Sequence, residues 1–335
     1  MGGRTRHGHL SPSVPRFGRL GTPRWARVAG LAFGCLAPTY IAQESVDFRV
    51  WEGGLAACLA ALVLDQLLAI RAAAATRGAF GRLGALGGAL FCVNPALGLA
   101  SLAAIALLCL QHLAWQNFWV PAVSGGMTMA ALLIPWSIRN ERVMHAPVLL
   151  RSNAGLELAI AEYPGALAPA DRATEFMARL EAVHPSVGAG AYRAMMQAGG
   201  EIAYANQLRD ETRAWMAAHP LDTLYLFLLH IRQTLLPEEW QFTVFGRSSF
   251  AAGRAFLAQL VGFTGTFAII LAIVRRRPHW LYPAVMIGAM LILSAPFQPV
   301  KRYTYLVYPI LVFAAADLLA GGGARLSRSQ SEDSR

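Results

Sequence analysis

Eight stretches of this sequence are apolar for about the length of a bilayer crossing, and that pattern limits the fold more than any other feature. The runs are Trp25–Ala42, Gly53–Ile70, Phe80–Val93, Ala96–Leu113 and Phe118–Ile138. After a long polar stretch come Ala255–Val274, Trp280–Ala295 and Tyr303–Ala320. A membrane-spanning helix needs roughly 20 predominantly apolar residues. Backbone groups in lipid must be satisfied within the chain, so such runs fold as helices. The third run is short, and Asn94-Pro95 parts it from the fourth. That pair reads as a tight hairpin or as one long broken helix. The expected fold is all-α: a polytopic membrane helical bundle of about eight spans with a mostly helical extracytoplasmic segment.

Composition supports a membrane setting. Of 335 residues, 56% are hydrophobic and 14% charged, against roughly 25% charged in soluble domains. The net charge of +10 comes almost wholly from arginine, since Lys301 is the only lysine. The arginines gather at the ends of apolar runs, and the basic-aromatic stripes of a nucleic-acid binder are absent. The expected surroundings are therefore membrane lipids, with no nucleic acid partner. Cys35, Cys58, Cys92 and Cys109 each lie inside an apolar run. They lack the paired spacing of a zinc site and read as small hydrophobes between helices.

Short-loop arginines set the expected orientation. They are Arg16, Arg19, Arg24 and Arg27 in the arm, Arg71, Arg77 and Arg82 after the second run, Arg275–Arg277 after the sixth, and Arg325 and Arg328 in the tail. With eight spans all four groups fall on one side, expected to be cytoplasmic. Both termini are then cytoplasmic in a multi-pass protein of the inner (cytoplasmic) membrane. The division that follows is a disordered basic arm (1–24), an N-terminal bundle of about five spans (25–138), an extracytoplasmic segment (139–254), three C-terminal spans (255–320) and a cytoplasmic tail (321–335).

Within the outer segment, Asp171–Val183 and Ala189–His219 read as helices, the second interrupted near Gly199-Gly200 and stopped by Pro220. In Leu221–Leu236, Leu224, Leu228, Ile231 and Leu235 recur at helical spacing. That stretch reads as a helix lying in the membrane interface, or as a core helix of the outer segment.

No phosphate-binding glycine loop and no serine nucleophile elbow occurs. Three places can carry chemistry at the outer face. The loop with Glu44, Asp47, Arg49 and Glu52 sets carboxylates at the mouth of two spans, where one can act as a general base or hold a metal ion. A solvated loop end is the plainer reading. Pro135-Trp136-Ser137-Ile138-Arg139-Asn140 and then Arg151-Ser152-Asn153-Ala154-Gly155-Leu156-Glu157-Leu158 offer guanidinium and amide donors suited to a phosphate, or else an interfacial belt and a surface loop. Lys301-Arg302-Tyr303 places two cations before the last span, where they can hold an anionic head group or simply snorkel. Asp65 and Asp317 sit inside apolar runs near one end, where an interhelical bond is the plainer reading.

The string from Pro135 to Leu158 resembles a pattern in bacterial membrane glycosyltransferases of the GT-C superfamily, relatives of the dolichyl-phosphate-mannose-protein mannosyltransferases and the lipid A aminoarabinose transferases. In those families a Trp-x-x-Arg-Asn element ends a span, and Arg-Ser-Asn-x-Gly-x-Glu-Leu follows. His184-Pro185-Ser186, Ala218-His219-Pro220 and Lys301-Arg302-Tyr303 also fall where the resemblance puts them. It covers roughly Trp25 to the last span, and by it the chain lacks the family's N-terminal spans and the acidic loop between them.

The resemblance implies transfer of a sugar from a polyprenyl-phosphate donor to a cell-envelope glycan, lipid or protein acceptor. Glu52 and Asp47 would be the catalytic carboxylates. Arg139, Arg151, Lys301 and Arg302 would hold the donor phosphate, with Asn140, Ser152, Asn153, Glu157 and Tyr303 in support. A divalent metal ion often assists such enzymes. A non-catalytic or truncated homologue, or a transporter with Asn94-Pro95 as a helix break, are the alternatives.

Overall fold

A computed structural model describes residues 25, 28, 52–72, 76–112, 117–146, 148–244, 250–300 and 306–332. Every regular element among them is helical. One group of helices comprises α1 (Glu52–Ala72), α2 (Arg77–Val93), α3 (Pro95–His112) and α4 (Trp119–Met144), and a later group α11 (Ala251–Val274), α12 (Leu281–Ser294) and α13 (Tyr308–Glu332). Between the two groups lie α5 (Ala154–Ala161), α6 (Arg172–Val183), α7 (Ala189–Gln197), α8 (Glu201–Ala218), α9 (Pro220–Leu235) and the single turn α10 (Trp240–Thr243).

Four helices, Gly53–Ala72, Pro95–His112, Trp119–Met144 and Ala251–Val274, are long and apolar enough to cross a bilayer, and Pro278–Ser294 and Tyr308–Ala320 are shorter apolar helices. Of the first apolar run, only Trp25 and Val28 fall within the described residues. The fifth run extends past its expected end at Ile138 and stays helical to Met144, even with Pro135 inside it.

Glycines set how closely these helices approach. A Cβ on Gly84 would lie 2.1 Å from the Pro121 carbonyl oxygen, and one on Gly88 2.5 Å from that of Gly125. The contacts rise together along both helices, so α2 and α4 run parallel. Ser124 Oγ donates to Gly81 O at 2.7 Å across the same seam. Small residues that let backbones touch drive helix association in lipid, where apolar burial alone contributes little. The Asn94-Pro95 step is a tight hairpin. Asn94 ends α2, and its Oδ1 accepts from Leu97 N at 3.0 Å at the start of α3. A Cβ on Gly98 would meet Phe91 Cα at 2.3 Å, which places α3 antiparallel against α2.

Polar contacts identify one end of the bundle. Arg71, in the last turn of α1, donates to Tyr282 Oη at 3.0 Å, and Tyr282 donates to Gln111 at 2.8 Å. Arg277 pairs with Asp317 at 3.0 Å. These contacts gather the last turns of α1 and α3, the start of α12 and the turn after α11. Arg71 and the Arg275–Arg277 turn therefore share one end, as the alternating course of the chain requires. Asp317 is satisfied there by an interhelical bond.

The segment between α4 and α11, expected to lie outside, meets the opposite end of α12 through His230 and Ala295 O and through Val300. Its core is Leu156, Ala159, Ile160, Phe176, Leu180, Val183, Tyr204 and Leu208, joined by Val300 from the loop after α12. Asp171 caps α6 through Ala173 N and Thr174 N. The expected break in the long helix falls at Gly199 and Gly200, whose φ values of 90° and 116° favour glycine. α9 buries Leu226 and Leu229 together with His230, Gln233 and Thr234, and leaves Leu221, Leu224, Tyr225 and Leu228 exposed.

Candidate functional site

The residues of the Pro135–Leu158 string fall into two sets. At the end of α4, exposed Arg139 lies over the Trp136 ring at 5.2 Å and donates to Asn140 Oδ1 at 3.0 Å. Buried Asn140 donates in turn to Val148 O at 2.9 Å, tying the end of α4 to the loop beyond it. In the second set, Ser152 Oγ donates to Glu201 Oε1 at 2.5 Å, and Asn153 Nδ2 donates to Glu157 Oε1 at 3.2 Å. Gly155 presses α5 onto α8, since a Cβ there would lie 2.0 Å from Ala205 O. Ser152 and Gly155 thus join α5 to α8, and Asn153 braces the first turn of α5. Arg151 is exposed at the loop before α5 and also has a partner within the protein.

The two histidine-proline steps shape turns. His184 caps the end of α6, and its Nδ1 accepts from Ser186 N at 3.2 Å. His219 precedes Pro220 and stacks on Trp215 at 5.3 Å. Asp47, Lys301, Arg302 and Tyr303 lie outside the described residues, as does the side chain of Glu52, the first residue of α1. Among the described residues no three metal-ligating side chains converge.

The most chemically unusual place is where the outer segment meets the end of α12. Glu162 terminates α5 and is 1% exposed. Neither of its carboxyl oxygens has a hydrogen-bond partner among the described residues. His230 of α9 faces it, with Nδ1 3.6 Å from Glu162 Oε1. His230 Nδ1 also lies 2.8 Å from Ala295 O, just past α12. A carbonyl oxygen only accepts, so Nδ1 carries the proton and donates.

The spacing of Glu162 and His230 is that of an ion pair, but the surroundings make both groups neutral. Burial pushes the Glu162 carboxyl up to about 8. Burial, reinforced by Arg172, pushes His230 down to about 4, against the opposing effect of its bonds to Ala295 and Gln298. Charging either group without full compensation is costly in a dry site.

A belt of amides completes the seat. Gln241 is 2% exposed, donates to Pro299 O, and accepts from Glu238 N at 2.6 Å. Gln298 Nε2 donates to Gln233 Oε1 at 3.5 Å. Glu238 closes the turn into α10 by accepting from Trp240 Nε1 at 2.9 Å and Gln233 Nε2 at 3.3 Å and by pairing with Arg172 at 3.6 Å. Tyr163, Arg172, His230, Gln233, Trp240 and Gln298 line a small cleft whose enclosed room is about 20 Å³, enough for about one water.

Sequence reasoning passed over this group. His230 and Gln233 stand inside an apolar stripe, and Glu162 follows the string that resembles a phosphate site. The Pro237-Glu238-Glu239-Trp240-Gln241 run was the available signal, a dense polar turn directly after an apolar helix. Comparison with known proteins returned no matching family model, no curated relative and no solved structure.

Proposed function

We propose that this chain is a glycosyltransferase of the inner membrane, crossing it about eight times with both termini in the cytoplasm. On this reading it moves a sugar from a polyprenyl-phosphate donor to a cell-envelope acceptor at the outer face. The acceptor hydroxyl attacks the anomeric carbon and the bond from that carbon to the phosphate oxygen breaks. Polyprenyl phosphate leaves, and a carboxylate, Glu52 or Asp47, takes the hydroxyl proton. The observation that carries the reading is the Pro135–Leu158 string, which straddles the point where α4 gives way to the outer segment. Arg139 fits a phosphate role there. It is exposed, and its bond to Asn140 uses one of five N–H donors. The exposed leucines of α9 support a place for that helix in the membrane interface, beside a lipid-borne substrate.

A second reading has its own observation. Ser152 and Asn153 are engaged within the protein, and Gly155 serves helix contact. A string used for packing suits a non-catalytic homologue that keeps the outer segment's shape.

Binding separates the two. Purified protein in lipid nanodiscs is titrated with polyprenyl phosphate and with the uncharged polyprenol. The enzyme reading expects preference for the phosphate, weakened about tenfold, or 1.4 kcal/mol, by Arg139→Lys, because lysine cannot reproduce the two-pronged grip. Equal retention of both lipids would favour the non-catalytic homologue.

A further inference from the structure

A carboxyl group that is wholly buried, lacks hydrogen bonds among the described residues and faces a neutral imidazole is costly to keep. Glu162 is such a group, and it sits on the joint between two parts of the molecule. On one side are α5 and the outer core. On the other are α9 and, through the His230 to Ala295 bond, the end of α12.

We propose that this joint is a proton-held latch, in which α5 stays seated against α9 and the end of α12 only while the Glu162 carboxyl carries its proton.

Among the described residues, the charges around the joint leave an ionised Glu162 unsupported. From α6, Arg179 donates Nε to Ala159 O and lies over the Tyr163 ring, and Arg172 pairs with Glu238. Glu175 on α6 and Glu211 on α8 act on Tyr163 and Arg179. From the start of α10, Glu238 is held by Trp240, Gln233 and two arginines. The loop from Ala295 to Val300 and the last two turns of α12 carry no charged side chain. Burial is the cause that raises the Glu162 carboxyl, with no compensating cation among the described residues.

The imidazole cannot rescue the carboxylate either. Its Nδ1 proton is already given to Ala295 O. At the alkaline pH where Glu162 would ionise, His230 stays neutral, because burial holds it down at about 4. An ionised Glu162 must therefore reach water. In the latch that route is separation of α5 from α9, beside a cleft lined by His230 that already has room for one water.

The sign follows from linkage. Glu162 binds its proton up to about pH 8 in the seated state and up to about 4.5 when exposed. The seated state holds the extra proton between those limits, so it weakens as pH rises through them.

Hydrogen–deuterium exchange on the full chain in lipid nanodiscs tests the proposal at pH 6.5 and pH 8, each rate normalised to that of an unstructured peptide at the same pH. Protection of the α5 and α9 amides is expected to fall roughly tenfold or more between the two values, while α2 and α3 keep theirs. Glu162→Gln, which cannot ionise, is expected to hold α5 and α9 protected at both values. Glu162→Met serves the same purpose should the glutamine variant not fold. Unchanged wild-type protection overturns the latch, and so does an equal alkaline loss in the variants. Parallel loss in α2 and α3 also overturns it, since that is general unfolding.

Discussion

Adding one methyl group at Gly155 is the sharpest test of how the outer segment is assembled. In the wild type a Cβ at this position would sit 2.0 Å from Ala205 O and 2.8 Å from Arg209 Cβ. Real Cβ contacts essentially never fall below 3.0 Å. Helix α5 must therefore move about 1 Å away from α8, or tilt by an equivalent amount, because the obstacle is backbone rather than a side-chain tip. Overpacking of this kind costs about 1–3 kcal/mol. The same movement strains the Ser152 to Glu201 bond at 2.5 Å, part of whose contribution is lost as well. Alanine is the better helix former by about 1 kcal/mol, which offsets some of this. The net expectation for Gly155→Ala is a loss of about 2 kcal/mol. Gly190→Ala is the matched control. Gly190 lies in α7 with nothing within 4 Å of its added Cβ, so only the propensity gain remains, a stabilisation of about 0.5–1 kcal/mol. Thermal unfolding in detergent, followed by far-ultraviolet circular dichroism, reads both variants side by side. If Gly155→Ala is neutral, or the two variants shift together, close α5 to α8 contact is not what holds this part of the fold.

Two further outcomes are expected. Cysteine placed at exposed Ala189 should react with a membrane-impermeant thiol reagent in intact cells, and labelling only after lysis would reverse the proposed orientation. Stability should be highest between about pH 4.5 and 6.5. In that window the proton held by folded Glu162 balances the one bound by unfolded His230. From pH 6.5 to 8 only the Glu162 effect remains, and about 2 kcal/mol is lost at 1.36 kcal/mol per unit. Below about 4.5 the His230 effect removes stability in turn. Glu162→Gln should abolish the alkaline limb alone, and an unaltered pH–stability curve in that variant would place the titrating group elsewhere.

What was legible in the sequence is what depends on local composition. Apolar runs of bilayer length can only be helical in lipid, so Gly53–Ala72, Pro95–His112 and Ala251–Val274 could be read directly, with ends set by proline, asparagine and arginine. The helix break at Gly199-Gly200 and the start of α6 at Asp171 were equally local, because glycine at positive φ and an aspartate cap act within one turn. Tertiary structure decided how these pieces meet. Whether Asn94-Pro95 made a hairpin or a kink depended on Gly98 fitting against Phe91, seven residues away in sequence and across the hairpin in space. The string from Arg139 to Glu157 looks like a row of donors, yet Ser152 finds Glu201 and Gly155 finds Ala205 only once α8 is in place. Glu162 and His230 are 68 positions apart, so nothing local marks them as partners. What sets their protonation is burial by α5, α9 and the end of α12, and burial is a property of the assembled chain.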